Sequence, residues 1–115
     1  MKKENVILDK SFDFALDIIE LYKQMIEQKE FILSKQILRS GTSIGANVEE
    51  ATAAISKKDF IAKMSISSKE ARETRYWLRL LDRSKLVSLD FKKHLDEIEN
   101  IVNILTAIVK TSQGK

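Results

Sequence analysis

A chain of 115 residues, 43% of them hydrophobic, with 20 Lys plus Arg against 17 Asp plus Glu, has material for one domain around one core. It has no cysteine and one histidine, His94, which excludes disulfides, thiolate zinc sites and a His-based metal site, so no cofactor is expected and a reducing cytoplasm is the natural location. No window reaches the roughly 18 uninterrupted apolar residues of a membrane span, and Lys2, Lys3 and Glu4 are not followed by the apolar stretch of a signal peptide.

Proline is absent and glycine occurs only at positions 41, 45 and 114, so the punctuation of hairpins and tight turns is missing and an all-α chain is expected. A first helix is predicted from about Lys10 to Gln28, with Asp9 as its N-cap. On a helical projection Phe12, Phe14, Leu16, Ile18, Ile19, Leu21, Tyr22, Met25 and Ile26 fill more than half of its circumference, more apolar surface than one core-facing stripe requires. A second helix runs from the Phe31 to Ser34 region to about Ala54, and Leu33, Ile37, Gly41, Ile44, Val48, Ala51 and Ile55 form its narrow seam. Ser56 caps the third helix with Asp59 three residues on, and Ile55 is placed to pack on Phe60 as a hydrophobic staple.

The third helix, about Lys57 to Arg83, turns Phe60, Met64, Ser67, Ala71, Thr74, Leu78 and Leu81 to the core, with Trp77 on the flank. The fourth begins at Ser88 with Asp90 in its first turn, carries Phe91, Leu95, Ile98, Val102, Leu105, Ile108 and Val109 on one side, and frays near Ser112. Short breaks at Lys29, Ile55 and Lys85 reverse the direction each time. The expected architecture is an antiparallel up-down-up-down four-helix bundle, one domain over residues 1–115 with frayed ends at about 1–8 and 112–115.

The run from Ser40 to Asn47 places two glycines in a helix interior, where each costs roughly 0.5–1 kcal/mol relative to alanine. Gly41 and Gly45 are one turn apart, so a neighbouring helix can approach closely there, with Ser40, Ile44 and Asn47 completing the packing site. A buried Asn47 amide would need partners on neighbouring helices.

Positive charge is local to the third helix: residues 56–85 hold nine basic and four acidic side chains, whereas residues 1–30 come to −2 and the other two segments to zero. Lys69, Arg72, Arg75, Arg79 and Arg83 recur at three- and four-residue steps and fall within a stripe of roughly 120°. Such a stripe suits phosphate oxygens, which accept the guanidinium fork. The competing reading is a solvated face tied to Glu70, Glu73 and Asp82 or to the acidic first helix. Ile66, Tyr76, Trp77 and Leu80 are too many large apolar groups for the outside of a lone bundle, and with the wide arc of the first helix they predict a surface that a second copy covers. Base stacking on Tyr76 or Trp77 is the sharper alternative.

Catalytic constellations are missing. There is no Glu-x-x-His step of di-iron bundles, no glycine-rich phosphate loop and no nucleophile elbow, and Asp90 with His94 reads as an exposed pair at a helix start, so no enzymatic activity is expected.

The run Gln36-Ile37-Leu38-Arg39-Ser40-Gly41-Thr42-Ser43-Ile44-Gly45-Ala46-Asn47-Val48-Glu49-Glu50-Ala51 resembles the second-helix signature of the bacterial four-helix-bundle proteins first named for open reading frames in 23S ribosomal RNA intervening sequences. The segments from Asp59 to Ser67 and from Lys69 to Leu78 are similar to that family's third helix, and the glycine often found after the acidic part of the first motif is Ala51 here. The family includes the accessory variability proteins of diversity-generating retroelements, barrel-like homopentamers that bind nucleic acid and a reverse transcriptase through basic surfaces. The resemblance therefore implies a homopentamer, with RNA or DNA and a reverse transcriptase as candidate partners. The expected function is a non-enzymatic, ring-forming bundle that holds RNA on its third-helix stripe. The alternative is a protein-interaction or structural assembly without nucleic acid.

Overall fold

The computed structural model describes the backbone of residues 2–114 and the side chains of residues 5–114. Four helices account for most of it: α1 (Lys2–Glu27), α2 (Leu33–Thr52), α3 (Lys57–Ser84) and α4 (Lys92–Gln113). They lie along the long axis of a 46 × 20 × 20 Å body. Each helix packs on two neighbours in the cyclic order α1, α2, α3, α4, so that α1 and α3 face each other only across a diagonal.

The cross-helix contacts show the antiparallel arrangement directly. Ser40 meets Thr74, Ile44 meets Ser67 and Glu50 meets Lys63, so α3 descends as α2 rises. At one end the side-chain amide of Gln28 donates from Nε2 to the Ser88 carbonyl at 3.1 Å, while the Ser88 N–H donates to Gln28 Oε1 at 2.8 Å, tying the end of α1 to the approach to α4.

The core is one continuous cluster built from the periodic stripes: Ile7, Phe14, Ile18, Leu21 and Met25 of α1, Ile37, Ile44, Val48 and Ala51 of α2, Met64, Ala71, Leu78 and Leu81 of α3, and Ile98, Ile101, Val102, Leu105 and Ile108 of α4. Burial of these side chains, each contributing about 1.5–3 kcal/mol where large, holds the helices together. Phe60, predicted as core, is only half-buried at the rim.

Several boundaries differ from the sequence expectation. α1 is helical from Lys2, not Lys10, because Ile7 continues the stripe of Ser11, Phe14 and Ile18 and is fully buried. Asp9 is therefore an exposed position inside the helix rather than its cap, and residues 5–8 are not a frayed end. At the other terminus α4 stays helical to Gln113, and Met1 and Lys115 lie outside the described residues. Ser56 caps α3 as expected, its side chain accepting from the Asp59 N–H at 3.0 Å. The hydrophobic staple is absent, since Ile55 is 96% exposed and belongs to neither core nor α2 seam.

α4 starts at Lys92 rather than Ser88. Asp90 precedes the helix and accepts from the Lys92 N–H at 3.0 Å. At the start of α2 the expected role of a Ser or Thr cap is taken by Glu30, whose carboxylate accepts from the N–H groups of Ile32, Leu33 and Ser34 at 3.1, 3.0 and 2.7 Å. Those donors have no partner within the helix, and the negative charge sits at the positive end of the α2 dipole.

Candidate nucleic-acid interface

On the second helix, Gly41 and Gly45 lie against α1. A Cβ at position 41 would stand 2.9 Å from Cγ1 of Ile18, and one at position 45 would stand 3.3 Å from the backbone oxygen of Ser11. Ser40 and Ile44 turn the other way, toward α3: Thr74 Oγ1 donates to Ser40 Oγ at 2.8 Å, and Ser67 Oγ donates to the Ile44 carbonyl at 2.8 Å. Asn47 departs from expectation, because its amide donates to the Ser43 carbonyl of its own helix at 2.9 Å and needs no partner elsewhere. Thr42 and Ser43 likewise donate back to the Leu38 and Arg39 carbonyls. This run is thus an interior seam that fixes α2 between α1 and α3, and it leaves the outer faces of those two helices to solvent.

The basic stripe of α3 divides in two. Arg72 donates to Thr106 Oγ1 at 2.8 Å, and Arg75, half-buried, reaches both carboxylate oxygens of Glu99 at 3.2 and 3.4 Å, so both are turned onto α4. Lys69, Arg79 and Arg83 are exposed and form no ion pair with another described residue. Two of the three acidic anchors expected on α3 for a self-neutralised stripe are occupied elsewhere, since Arg39 of α2 bridges Glu70 at 3.4 Å and also binds Glu73, while Asp82 forms no ion pair with another described residue. The acidic first helix is across the diagonal and does not reach the stripe. Arg39, Glu99 and Thr106 went unnoticed in the sequence, since only the pairing of helices brings them to α3.

Beside the free cations lie the apolar groups. Tyr76 is 55% exposed, and together with Leu80, Arg79 and Arg83 it lines a shallow depression on the outer surface of α3. Ile66 is exposed on the α2 side of the same face. Trp77 differs from these three, being half-buried against the core with its indole N–H donating to Glu73 Oε2 at 3.0 Å. Its ring meets Tyr76 edge-on at 5.3 Å between centroids, which holds the Tyr76 ring outward. An exposed, braced aromatic flanked by two guanidinium groups can stack a base while the cations take its phosphates.

A second polar cluster lies between α1 and α4. His94 is not the exposed partner of Asp90 but half-buried, with Nδ1 shielded from solvent and lacking a hydrogen bond. Burial pushes its pKa down. Burial also pushes the Glu97 carboxyl up to about 7, helped by a hydrogen bond to Asp17 and that group's charge, against the opposing pull of Lys93 and Lys10. Among the described residues no three His, Cys, Asp or Glu side chains gather as a metal site, and no helix is long and apolar enough to cross a membrane.

Comparison with known proteins agrees with this geometry. A crystal structure of a protein of unknown function from the S23 ribosomal protein family of Bacteroides thetaiotaomicron VPI-5482 superposes with a TM-score of 0.89 at 50% sequence identity, covering 94% of this chain and 98% of that one. The search of curated proteins returns no match. The family model for 23S rRNA-intervening sequence proteins matches residues 3–107, nearly the full bundle with both the glycine seam and the α3 stripe inside it. The chain belongs to the 23S rRNA-intervening sequence protein family.

Proposed function

We propose that this bundle assembles with copies of itself, as a ring and by family resemblance a pentamer, and holds RNA on the basic outer edge of α3. The observation that supports nucleic-acid binding is the division of the stripe: Arg72 and Arg75 are used within the fold, whereas Lys69, Arg79 and Arg83 are exposed and unpaired among the described residues. Self-association is supported by the apolar groups left in water, Ile66, Tyr76 and Leu80 on α3 and Phe12, Leu16 and Ile19 on α1.

The test reverses the two free arginines. In Arg79→Glu/Arg83→Glu, RNA retention on a filter should fall at least tenfold at moderate salt, and the salt dependence of binding should flatten. Unchanged retention and slope in a variant that keeps the wild-type mass and melting temperature would remove the nucleic-acid reading. What stands then is the second one, an assembly or protein-interaction module, favoured by the internal engagement of Arg72 and Arg75.

A further inference from the structure

The two loops at one end of the bundle carry apolar side chains that stay in water. The loop between α1 and α2 leaves Phe31 half exposed and Ile32 73% exposed, and the loop between α3 and α4 leaves Leu86 56% exposed while its neighbour Val87 turns into the core. The clasp between Gln28 and Ser88 ties the two loops together, so all three groups share one pole of the long axis. None of them lies on the α1 or α3 faces assigned above to self-association. The backbone beneath them makes little demand on solvent. The N–H groups of Lys29 and Glu30 donate to the Ile26 and Met25 carbonyls, those of Ile32, Leu33 and Ser34 to the Glu30 carboxylate, and those of Leu86 and Ser88 to Ser84 Oγ and Gln28 Oε1. Donors paired in this way can leave water at low cost.

Residues 27–35 and 82–93, which make up this pole, hold six basic and four acidic side chains. Lys92 and Lys93 pair with Asp96 and Asp17, Glu30 is folded back onto the start of α2, and Asp90 accepts from the Lys92 N–H. What remains is exposed Lys29, Lys35, Arg83 and Lys85 against exposed Glu27 and half-buried Asp82, none of them ion-paired with another described residue.

We infer that this pole docks on an anionic lipid surface, with Phe31, Ile32 and Leu86 entering the headgroup region while Lys29, Lys35 and Lys85 reach the lipid phosphates. Three side chains on two loops form a convex tip that offers no groove to a peptide. A bilayer needs none, because lipids flow around whatever enters them. The excess of unpaired cations beside the tip favours an anionic surface over a zwitterionic one. The contact is interfacial, since among the described residues no helix is long and apolar enough to cross a membrane. Docking at this pole depends on neither the ring nor RNA.

The experiment floats the full-length chain, freed of nucleic acid, on a density gradient with vesicles of phosphatidylcholine containing about 30% phosphatidylglycerol, and with vesicles of phosphatidylcholine alone. The wild type should rise with the anionic vesicles and bind the neutral ones at least about tenfold more weakly. Phe31→Ser/Ile32→Ser/Leu86→Ser, which changes only exposed positions outside the helices, should lower partition onto the anionic vesicles by at least about tenfold. Lys29→Asn/Lys85→Asn, which puts a residue tolerant of left-handed backbone at both sites, should lower it roughly tenfold as well. Melting temperatures and light-scattering masses equal to wild type show that fold and assembly are intact. A wild-type chain that stays at the bottom of the gradient with anionic vesicles overturns the inference and leaves the pole to a protein partner. A triple variant that floats like wild type overturns it too, as does loss of flotation in Arg79→Glu/Arg83→Glu with none in the two tip variants, because binding then belongs to the α3 edge. A triple variant whose mass falls below that of wild type assigns the pole to contacts between copies and overturns lipid docking.

Discussion

Glu97 and His94 share one seam and respond to pH in opposite senses. The folded-state pKa of Glu97 is raised from 4.5 to about 7, so the folded protein holds a proton there that the unfolded chain has released across that window. Stability from this site is present below pH 4.5 and is lost as pH rises toward 7. For His94 the folded pKa lies below 6.5, and stability is lost as pH falls beneath that value. Glu97→Gln, which mimics the neutral carboxyl, should therefore melt higher than wild type above pH 7, with the difference vanishing by about pH 4.5. Thermal melts of the two proteins across that range check this, and a difference independent of pH would show that the carboxyl is not held neutral. A second prediction at this scale concerns Gly41, whose missing Cβ is the space taken by Ile18. Gly41→Leu should cost about 1–3 kcal/mol by overpacking and Ile18→Ala about 2–5 kcal/mol by leaving a cavity. The double variant should lose less than the two together, because each change relieves the other, and strict additivity in urea melts would separate the two sites.

At the scale of the helix, the termini carry the lesson. The start of α3 was legible because Ser56 with Asp59 is a local device, written in adjacent residues. The start of α1 was not, because Asp9 has the chemistry of a cap while the burial of Ile7 by other helices keeps the backbone helical past it. Ile55 has the right spacing for the α2 seam, yet the helix ends at Thr52 and the side chain is left outside. Reversals at Lys29 and Lys85 use a left-handed backbone, φ 66° and 56°, that glycine adopts without strain and lysine does not. Lys85→Gly should thus stabilise the bundle by about 0.5–1 kcal/mol at the α3 C-cap, a rise of a few degrees in melting temperature. An unchanged or lower melting temperature would mean that the lysine side chain has a role of its own there.

For the molecule as a whole, period and composition were enough to read the bundle: four apolar stripes without proline have few other ways to be buried. The candidate site was legible only in outline. Spacing put Lys69, Arg72, Arg75, Arg79 and Arg83 on one stripe, but which of them stay free depends on Glu99 and Thr106, more than twenty residues away. The same holds for Asp17 with Glu97, which become neighbours only when α1 and α4 pack. Electrostatics at this scale set the size of the nucleic-acid test. Each arginine-to-glutamate change removes two positive charges, so Arg79→Glu/Arg83→Glu takes the net charge from +3 to −1. With two phosphate contacts to single-stranded RNA lost, the slope of log affinity against log salt should shrink by about 1.4.

The reciprocal clasp between Gln28 and Ser88 has a mechanical consequence. It pins the register of α4 against α1 at one extremity, next to a seam that contains an ionisable pair midway along. Sliding of α4 along α1 at that extremity would have to break both bonds at once, so the two helices keep a single alignment there.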